Sequence, residues 1–147
     1  MSSFEIHEKK YLLFRKDAEN SDNSPMTRIN SYFEASFHAI ESCAVLFGIH
    51  INKHQDVRRV LEQNKVIFGQ ETMSVWSKFQ DLENKVRPGQ LYGGKINGEN
   101  LQKAKELAAF IFEICEKTVK DFRKKNITKS SKMGFSQEKY HENAEGI

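Results

Sequence analysis

Residues 24–48 read SPMTRINSYFEASFHAIESCAVLFG, and this stretch decides the fold class. It opens with Ser24 and Pro25, a residue type that caps helix N-termini followed by one that favours the first helical turn. Apolar side chains then recur every three or four residues up to Gly48, the residue type that most often ends a helix. These side chains are Ile29, Phe33, Phe37, Ile40, Ala44 and Phe47. The pattern predicts an amphipathic helix of about six turns.

The same apolar period recurs on both sides of this helix. A short helix is predicted over residues 4–18, and a capping box at Asn52 and Gln55 predicts the start of a third helix. Further helices are predicted over residues 71–86 and 97–123. Because short connections favour antiparallel neighbours, the sequence predicts an all-α fold, an antiparallel four- to five-helix bundle.

Composition agrees with this class. The chain has 147 residues, a common size for one domain, and contains only two prolines and eight glycines. No stretch approaches the roughly 20 apolar residues that span a bilayer, and the first thirty residues show no signal-peptide pattern. We therefore expect a cytoplasmic protein that does not interact with membranes.

Charge is concentrated at the C-terminus. The net charge is +3, but residues 117–147 alone hold eight Lys or Arg against four Asp or Glu, so the rest of the chain is nearly neutral. Residues 124–147 also lack an apolar period. We interpret them as a flexible basic and polar tail after a bundle domain formed by residues 1–123, which argues only weakly for a polyanionic partner.

The residues that most often ligate metals show no recognisable pattern. Cys43 and Cys115 fall on predicted apolar faces, as expected of buried thiols in a reducing compartment, and no disulfide is predicted. No pair of histidines has the spacing of a helical metal site together with a carboxylate or thiolate, and His38 is placed at the boundary of the core. The sequence therefore predicts no metal site and no cofactor. The histidines are His7, His38, His50, His54 and His141.

The loop that follows the fourth predicted helix contains an apparent phosphate-binding motif. Residues 89–95, GQLYGGK, match the first seven positions of a Walker A loop. The next residue, Ile96, stands where the magnesium-binding Ser or Thr belongs, and a helix precedes the loop in place of a buried strand. These two departures exclude an ATP-binding P-loop.

Arg87 lies at the last turn of that helix, before the glycine-rich loop that bears Tyr92. Its guanidinium is suited to binding a phosphate. An arginine at a helix C-terminus also satisfies open carbonyls and complements the helix dipole. From the residues alone both interpretations stay open.

The order of these elements resembles the HEPN superfamily, small prokaryotic bundles of four or five helices. Residues 32–41, YFEASFHAIE, are similar to the family's YYAxFHAxxA helix, and His54 with Val57 resembles the HxxV that starts the next one. Arg87 and Tyr92, with four residues between them, are similar to the R-x4–6-H segment. The resemblance covers residues 25–117.

In active members the arginine and histidine lie in a cleft at a dimer interface and cleave RNA without a metal. The resemblance implies a homodimer in which Arg87 and Tyr92 form the site, with Lys95 and His54 as further binding residues. It also implies a toxin–antitoxin system or a separately encoded nucleotidyltransferase as partner. A phenol, with an ordinary pKa of about 10, is a poorer base than imidazole, at about 6.5. Tyr92 in the histidine position therefore favours RNA or nucleotide binding over cleavage.

Two alternatives remain beside this binding module. The first is a metal-independent RNA-cleaving enzyme in which Arg87 and Tyr92 are catalytic. The second is a structural or protein-interaction bundle with no ligand site, in which Arg87 only caps its helix.

Overall fold

The computed structural model describes residues 1–86 and 98–132, and within them the chain forms helices and turns without a strand. Five α-helices carry the fold: α1 Ser3–Glu19, α2 Pro25–Leu46, α3 Val57–Gln63, α4 Thr72–Asp81 and α5 Gly98–Lys132. Short 3₁₀ turns at His54–Asp56 and Gly69–Glu71 precede α3 and α4, and a π-helix at Leu82–Val86 continues α4. The predicted all-α class is confirmed.

The sequence signals at the two ends of α2 act as predicted. The Ser24 hydroxyl accepts a hydrogen bond from the Thr27 amide at 3.2 Å and so caps the N-terminus. At the other end, Gly48 adopts a φ of 73°, a conformation that strains L side chains. Its amide donates to the Val45 carbonyl at 3.0 Å and closes the helix.

Helices α1 and α2 run antiparallel. Close to the turn that connects them, the Arg28 Nε donates to the Ala18 carbonyl at 2.8 Å. Further from that turn, His7 of α1 lies beside His38 of α2. As the residue number falls along α1, the number of its contact partner in α2 rises, as it does in an antiparallel pair.

Helix α5 runs parallel to α2. The Cys43 thiol donates to the Cys115 carbonyl at 3.4 Å, and later along both segments the rings of Phe47 and Phe122 meet with centroids 5.2 Å apart. Both cysteines are buried and free, as the sequence predicts.

Helix α4 packs against α2 and is antiparallel to α5. Phe79 of α4 stacks on Phe33 of α2, with ring centroids 5.2 Å apart. The Lys78 ammonium lies over the ring of Phe110, whereas Val86, eight residues further on, shares a groove with residues near the start of α5. This gives the antiparallel order expected of an up-and-down bundle.

A polar network joins α1 to α5. The Arg15 Nη1 donates to the Tyr11 hydroxyl at 2.6 Å, and that hydroxyl donates to Glu116 Oε2 at 3.1 Å. The Arg15 guanidinium also lies 4.9 Å from the centroid of the Phe112 ring. Burial raises the pKa of the Tyr11 phenol well above its ordinary value, although the hydrogen bond from Arg15 opposes this.

The core is centred on α2. Twelve of its 22 residues are buried, compared with two of the 17 in α1. One hydrophobic cluster joins this helix to every other α-helix. Its largest fully buried side chains include Phe33, Phe79, Ile29, Ile40, Leu61, Leu82 and Ile111.

The third helix begins later than the sequence predicts. The capping box at Asn52 is wrong, because Asn52 precedes a 3₁₀ turn and neither that turn nor α3 has a side-chain cap. Ile51 is only 2% exposed, so the chain is already anchored in the core before it becomes helical. The α-helix then starts at Val57, the next deeply buried side chain.

The last helix is longer than predicted. Helix α5 continues to Lys132, nine residues beyond the end of the apolar period at Arg123. Lys124 and Lys125, at the start of this extension, are exposed. The sequence there shows no apolar period, so periodicity alone could not predict that the helix continues. No helix in residues 1–86 or 98–132 combines the length and apolar character needed to cross a membrane.

Candidate functional site

Three of the four predicted binding residues, Arg87, Tyr92 and Lys95, lie outside the described residues. The structure describes the chain up to Val86, immediately before Arg87, and again from Gly98. The fourth residue, His54, is described. The candidate site is therefore built from the segment that leads to Arg87 and from the surroundings of His54.

The helix that leads to Arg87 changes its winding just before that residue. Leu82–Val86 form a π-helix, in which each hydrogen bond spans one residue more than in an α-helix. Leu82 is fully buried and Val86 is 5% exposed, so both ends of the π turn are anchored in the core. Such turns are rare and occur frequently at functional sites.

His54 is in close hydrogen-bond contact with Glu83 of this π-helix, through Nδ1 and Oε2. The His54 side chain is 35% exposed and that of Glu83 is 14% exposed. The rings of Phe33 and Phe37 meet the imidazole nearly at right angles, with centroids 5.3 and 6.3 Å away. The imidazole is thus held by a carboxylate and by two aromatic rings of α2, yet still reaches solvent.

This pair determines which ring nitrogen of His54 is available. When Nδ1–H donates to Glu83, Nε2 becomes the acceptor of the ring. An imidazole oriented by a carboxylate can take part in proton transfer or hydrogen-bond a ligand. The sequence did not identify Glu83, because its partner is 29 residues away and Glu83 lies outside the apolar stripe of its helix. The available signal was an acidic residue four positions before Arg87.

A groove of about 400 Å³ lies between α4 and α5 beside the end of the π-helix. This volume falls in the range of about 300–1,000 Å³ that is usual for small-molecule sites. Its two lysines are suited to a phosphate, and its acidic side chains limit the net positive charge. The groove is lined by Lys78, Asp81, Val86, Lys103, Glu106 and Leu107.

A second cluster of polar side chains lies between α1 and α2. The Nδ1 atoms of His7 and His38 are 3.4 Å apart. Glu41 Oε1 lies 3.5 Å from the first of these atoms and 3.0 Å from the second. The side chains of His7, His38 and Glu41 are 20%, 12% and 10% exposed, so His38 does lie at the boundary of the core.

Glu41 is the unusual member of this cluster. Its Oε1 atom is buried and has no hydrogen bond within the described part of the chain, despite the short distances to both imidazoles. A buried acceptor left in this state costs about 1–3 kcal/mol. Burial lowers the pKa of His7, an effect that Glu41 opposes and His38 reinforces.

Sequence patterns do not reveal this cluster, because its members come from two helices. His7 and His38 are 31 residues apart and meet only when α1 packs on α2. The one local signal was the pair His38 and Glu41, which share a helix face because they are three residues apart.

The cysteines do not form a reactive site. Cys43 donates its thiol hydrogen to the Cys115 carbonyl, and burial raises the pKa of the Cys115 thiol well above its ordinary value. A buried, protonated thiol is a poor nucleophile.

Known proteins add no family assignment, since no family model matches the chain and neither a curated protein nor a solved structure matches it at a significant level. The HEPN resemblance rests on the sequence motifs and on the order of the helices.

Proposed function

We propose that the protein is a HEPN-like module that binds RNA or a nucleotide through phosphate and ribose groups. Its site contains Arg87, Tyr92, Lys95 and His54. The observation that supports this best is the contact between His54 and Glu83, because it places a predicted binding residue against the π-helix that ends one residue before Arg87.

Each side chain has a distinct role in this proposal. The Arg87 guanidinium binds phosphate oxygens in a bidentate manner, and Lys95 adds a second cation. The Tyr92 phenol stacks on a base or hydrogen-bonds a ribose hydroxyl. Nε2 of His54 contacts the same ligand while Glu83 holds the ring. The module is a homodimer with these groups in a shared cleft, and it works with a nucleotidyltransferase or antitoxin encoded separately.

Cleavage of RNA is a second candidate function. Tyr92 replaces the family histidine, but His54 supplies an imidazole that is oriented by a carboxylate, the arrangement of a general base. In this reaction His54 takes the proton of a ribose 2′-OH, and the 2′ oxygen attacks the adjacent phosphorus. The bond from phosphorus to the 5′ oxygen breaks, the 5′ oxygen leaves as an alcohol after taking a proton from water, and the His54 imidazolium then returns its proton to solvent. The products are a 2′,3′-cyclic phosphate and a 5′-hydroxyl end.

The test compares Arg87→Ala with Arg123→Ala, which removes the same charge. Arg123 lies 20 residues along α5 from Lys103 of the groove, a separation of about 30 Å. Fluorescent single-stranded RNA is titrated with each protein at fixed low salt. Since a hydrogen bond to a charged group contributes about 1.5–3 kcal/mol, Arg87→Ala is expected to weaken binding about 10- to 100-fold. Arg123→Ala should change it far less.

The same samples separate the three functions. A 2′,3′-cyclic phosphate formed by the wild type, and lost in both Arg87→Ala and His54→Gln, would assign the chemistry to this site. Binding without that product supports the binding module alone. If Arg87→Ala left RNA and nucleotide affinity unchanged and only lowered stability by about 0.3–1 kcal/mol, the arginine would be a helix cap and the proposal would be wrong.

A further inference from the structure

The ligating atoms of the cluster formed by His7, His38 and Glu41 are spaced as the ligands of one metal ion would be. Zinc bonded to nitrogen and oxygen at about 2.0–2.1 Å in a tetrahedral site places those ligands about 3.4 Å apart. The two Nδ1 atoms and Glu41 Oε1 are separated by 3.0, 3.4 and 3.5 Å. A single point about 2 Å from all three atoms therefore exists, just outside the plane that they define.

We propose that these three side chains bind a divalent transition-metal ion, with zinc as the best fit, and leave a fourth coordination position for water. This site is independent of the proposed RNA or nucleotide site, which uses other residues.

Glu41 supplies an observation that does not depend on these distances. Its Oε1 atom is buried, points toward both imidazoles and accepts no hydrogen bond within the described residues. Buried carboxylates are otherwise paired, hydrogen-bonded or bound to a metal. A cation at the common point would satisfy this oxygen together with the lone pairs of both Nδ1 atoms.

The helices hold the ligands in place before any metal arrives. His38 and Glu41 are three residues apart on α2, the best-buried helix, so their relative position is fixed by the helix itself. The ring of Phe14 stacks on His38, with centroids 5.6 Å apart and an interplanar angle of 3°. Phe37 contacts the same imidazole at 5.6 Å. A ligand set ordered by packing binds a metal with little reorganisation.

The chemistry of the ligands selects the class of metal. Calcium and magnesium require about six or more oxygen ligands, and this cluster offers two nitrogens and one oxygen. Two imidazoles and a carboxylate are a common set for zinc, and three protein ligands with an open position distinguish catalytic from structural zinc sites. The His7 side chain is 20% exposed, so solvent reaches this ligand. Water bound at the open position would ionise more readily than bulk water.

Zinc binding can be measured directly on the full chain, produced without a histidine tag and stripped of metal with a chelator. Zinc is titrated in competition with a chromogenic chelator at neutral pH, and one ion per chain is expected. Glu41→Gln and His7→Gln should each weaken binding by more than about 100-fold, since even outer-shell partners of a metal contribute about 10- to 100-fold. His54→Gln removes a histidine from the neighbouring histidine–carboxylate pair and should leave zinc affinity unchanged.

Cobalt(II) provides a second measurement on the same proteins. Intense visible absorption, typical of tetrahedral cobalt, is expected in the wild type and should disappear in Glu41→Gln. If Glu41→Gln fails to fold by circular dichroism, His7→Gln decides alone, because His7 is the most exposed of the three ligands. Equal zinc affinity in the wild type and the folded ligand variants, or no stoichiometric binding, would overturn the proposal.

Discussion

The two histidine–carboxylate clusters of this bundle are neighbours, yet they satisfy their polar atoms in different ways. Phe37 contacts both His38 and His54. His54 and Glu83 form a closed pair in which the carboxylate accepts a hydrogen bond. At His7, His38 and Glu41, three atoms converge, and the buried carboxylate oxygen accepts no hydrogen bond from the part of the chain that the structure describes. A histidine–carboxylate pair whose polar atoms are satisfied is complete in itself, whereas converging atoms that lack a hydrogen bond leave room for a further ligand.

The largest effect should come from the aromatic ring that supports each cluster. Phe33, which is 1% exposed, lies between Phe79 and His54, whereas the partly buried Phe14 covers His38. Phe33→Ala should lower the free energy of unfolding by about 3–5 kcal/mol. Phe14→Ala should lower it by about 1–2 kcal/mol, because less of its surface is buried. Urea unfolding of both variants measures this, and a larger loss for Phe14→Ala would contradict the placement of His54 over the core.

A smaller difference in the free energy of unfolding should distinguish variants of the two carboxylates, Glu83 and Glu41. In metal-free protein, Glu83→Gln should lower the free energy of unfolding by about 1 kcal/mol, because it weakens a charged hydrogen bond to a partly exposed imidazole. Glu41→Gln should cost less, because within the described residues its Oε1 has no hydrogen bond to lose, only the 3.0 Å contact with His38 Nδ1. Urea unfolding with a chelator present compares the two variants. A loss in Glu41→Gln as large as that in Glu83→Gln would show that Glu41 is already satisfied without a metal.

The smallest effect, and the one that depends on pH, concerns Tyr11, one turn from His7 on α1. Burial raises the pKa of this phenol in the folded protein, so above about pH 10 the unfolded chain releases a proton that the folded chain keeps. The contribution of Tyr11 is therefore fully present below that pH and is lost as the pH rises toward the folded pKa. At neutral pH, Tyr11→Phe should cost about 0.5–1 kcal/mol for its hydrogen bonds to partly exposed partners.

The measurement is the difference in unfolding free energy between the wild type and Tyr11→Phe as a function of pH. It should be constant below about pH 9 and shrink above about pH 10. A difference that grew with pH would mean that the Tyr11 phenolate is stabilised by Arg15.

Much of the fold was readable from the sequence because local patterns specify it. Ser24 and Gly48 mark the two ends of α2 through local hydrogen bonds, and the apolar period between them reports which face is buried. The region before α3 was less readable. There Ile51 is anchored by tertiary packing, and this overrides the capping signal at Asn52.

The candidate sites were less predictable than the fold. His54 was identified through a resemblance, but its partner Glu83 was not, since no local pattern links a 3₁₀ turn to a π-helix. His38 and Glu41 share a helix face, but only the packing of α1 brings His7 to them. The predictions on Arg87 and Tyr92 fall outside the described residues and stay predictions.

The few buried side chains of α1 affect how fast a metal ion would exchange at the proposed site. This helix has only two buried side chains, Tyr11 and Ala18, and Leu12 and Leu13 are more than half exposed. Helices that bury few side chains open by local fluctuations at a lower free energy than global unfolding requires.

One ligand of the proposed metal site, His7, lies on α1, and the other two, His38 and Glu41, lie on α2. We therefore expect a bound ion to exchange when α1 opens locally, without unfolding of the whole bundle. Amide hydrogen exchange in α1 should slow when zinc is added.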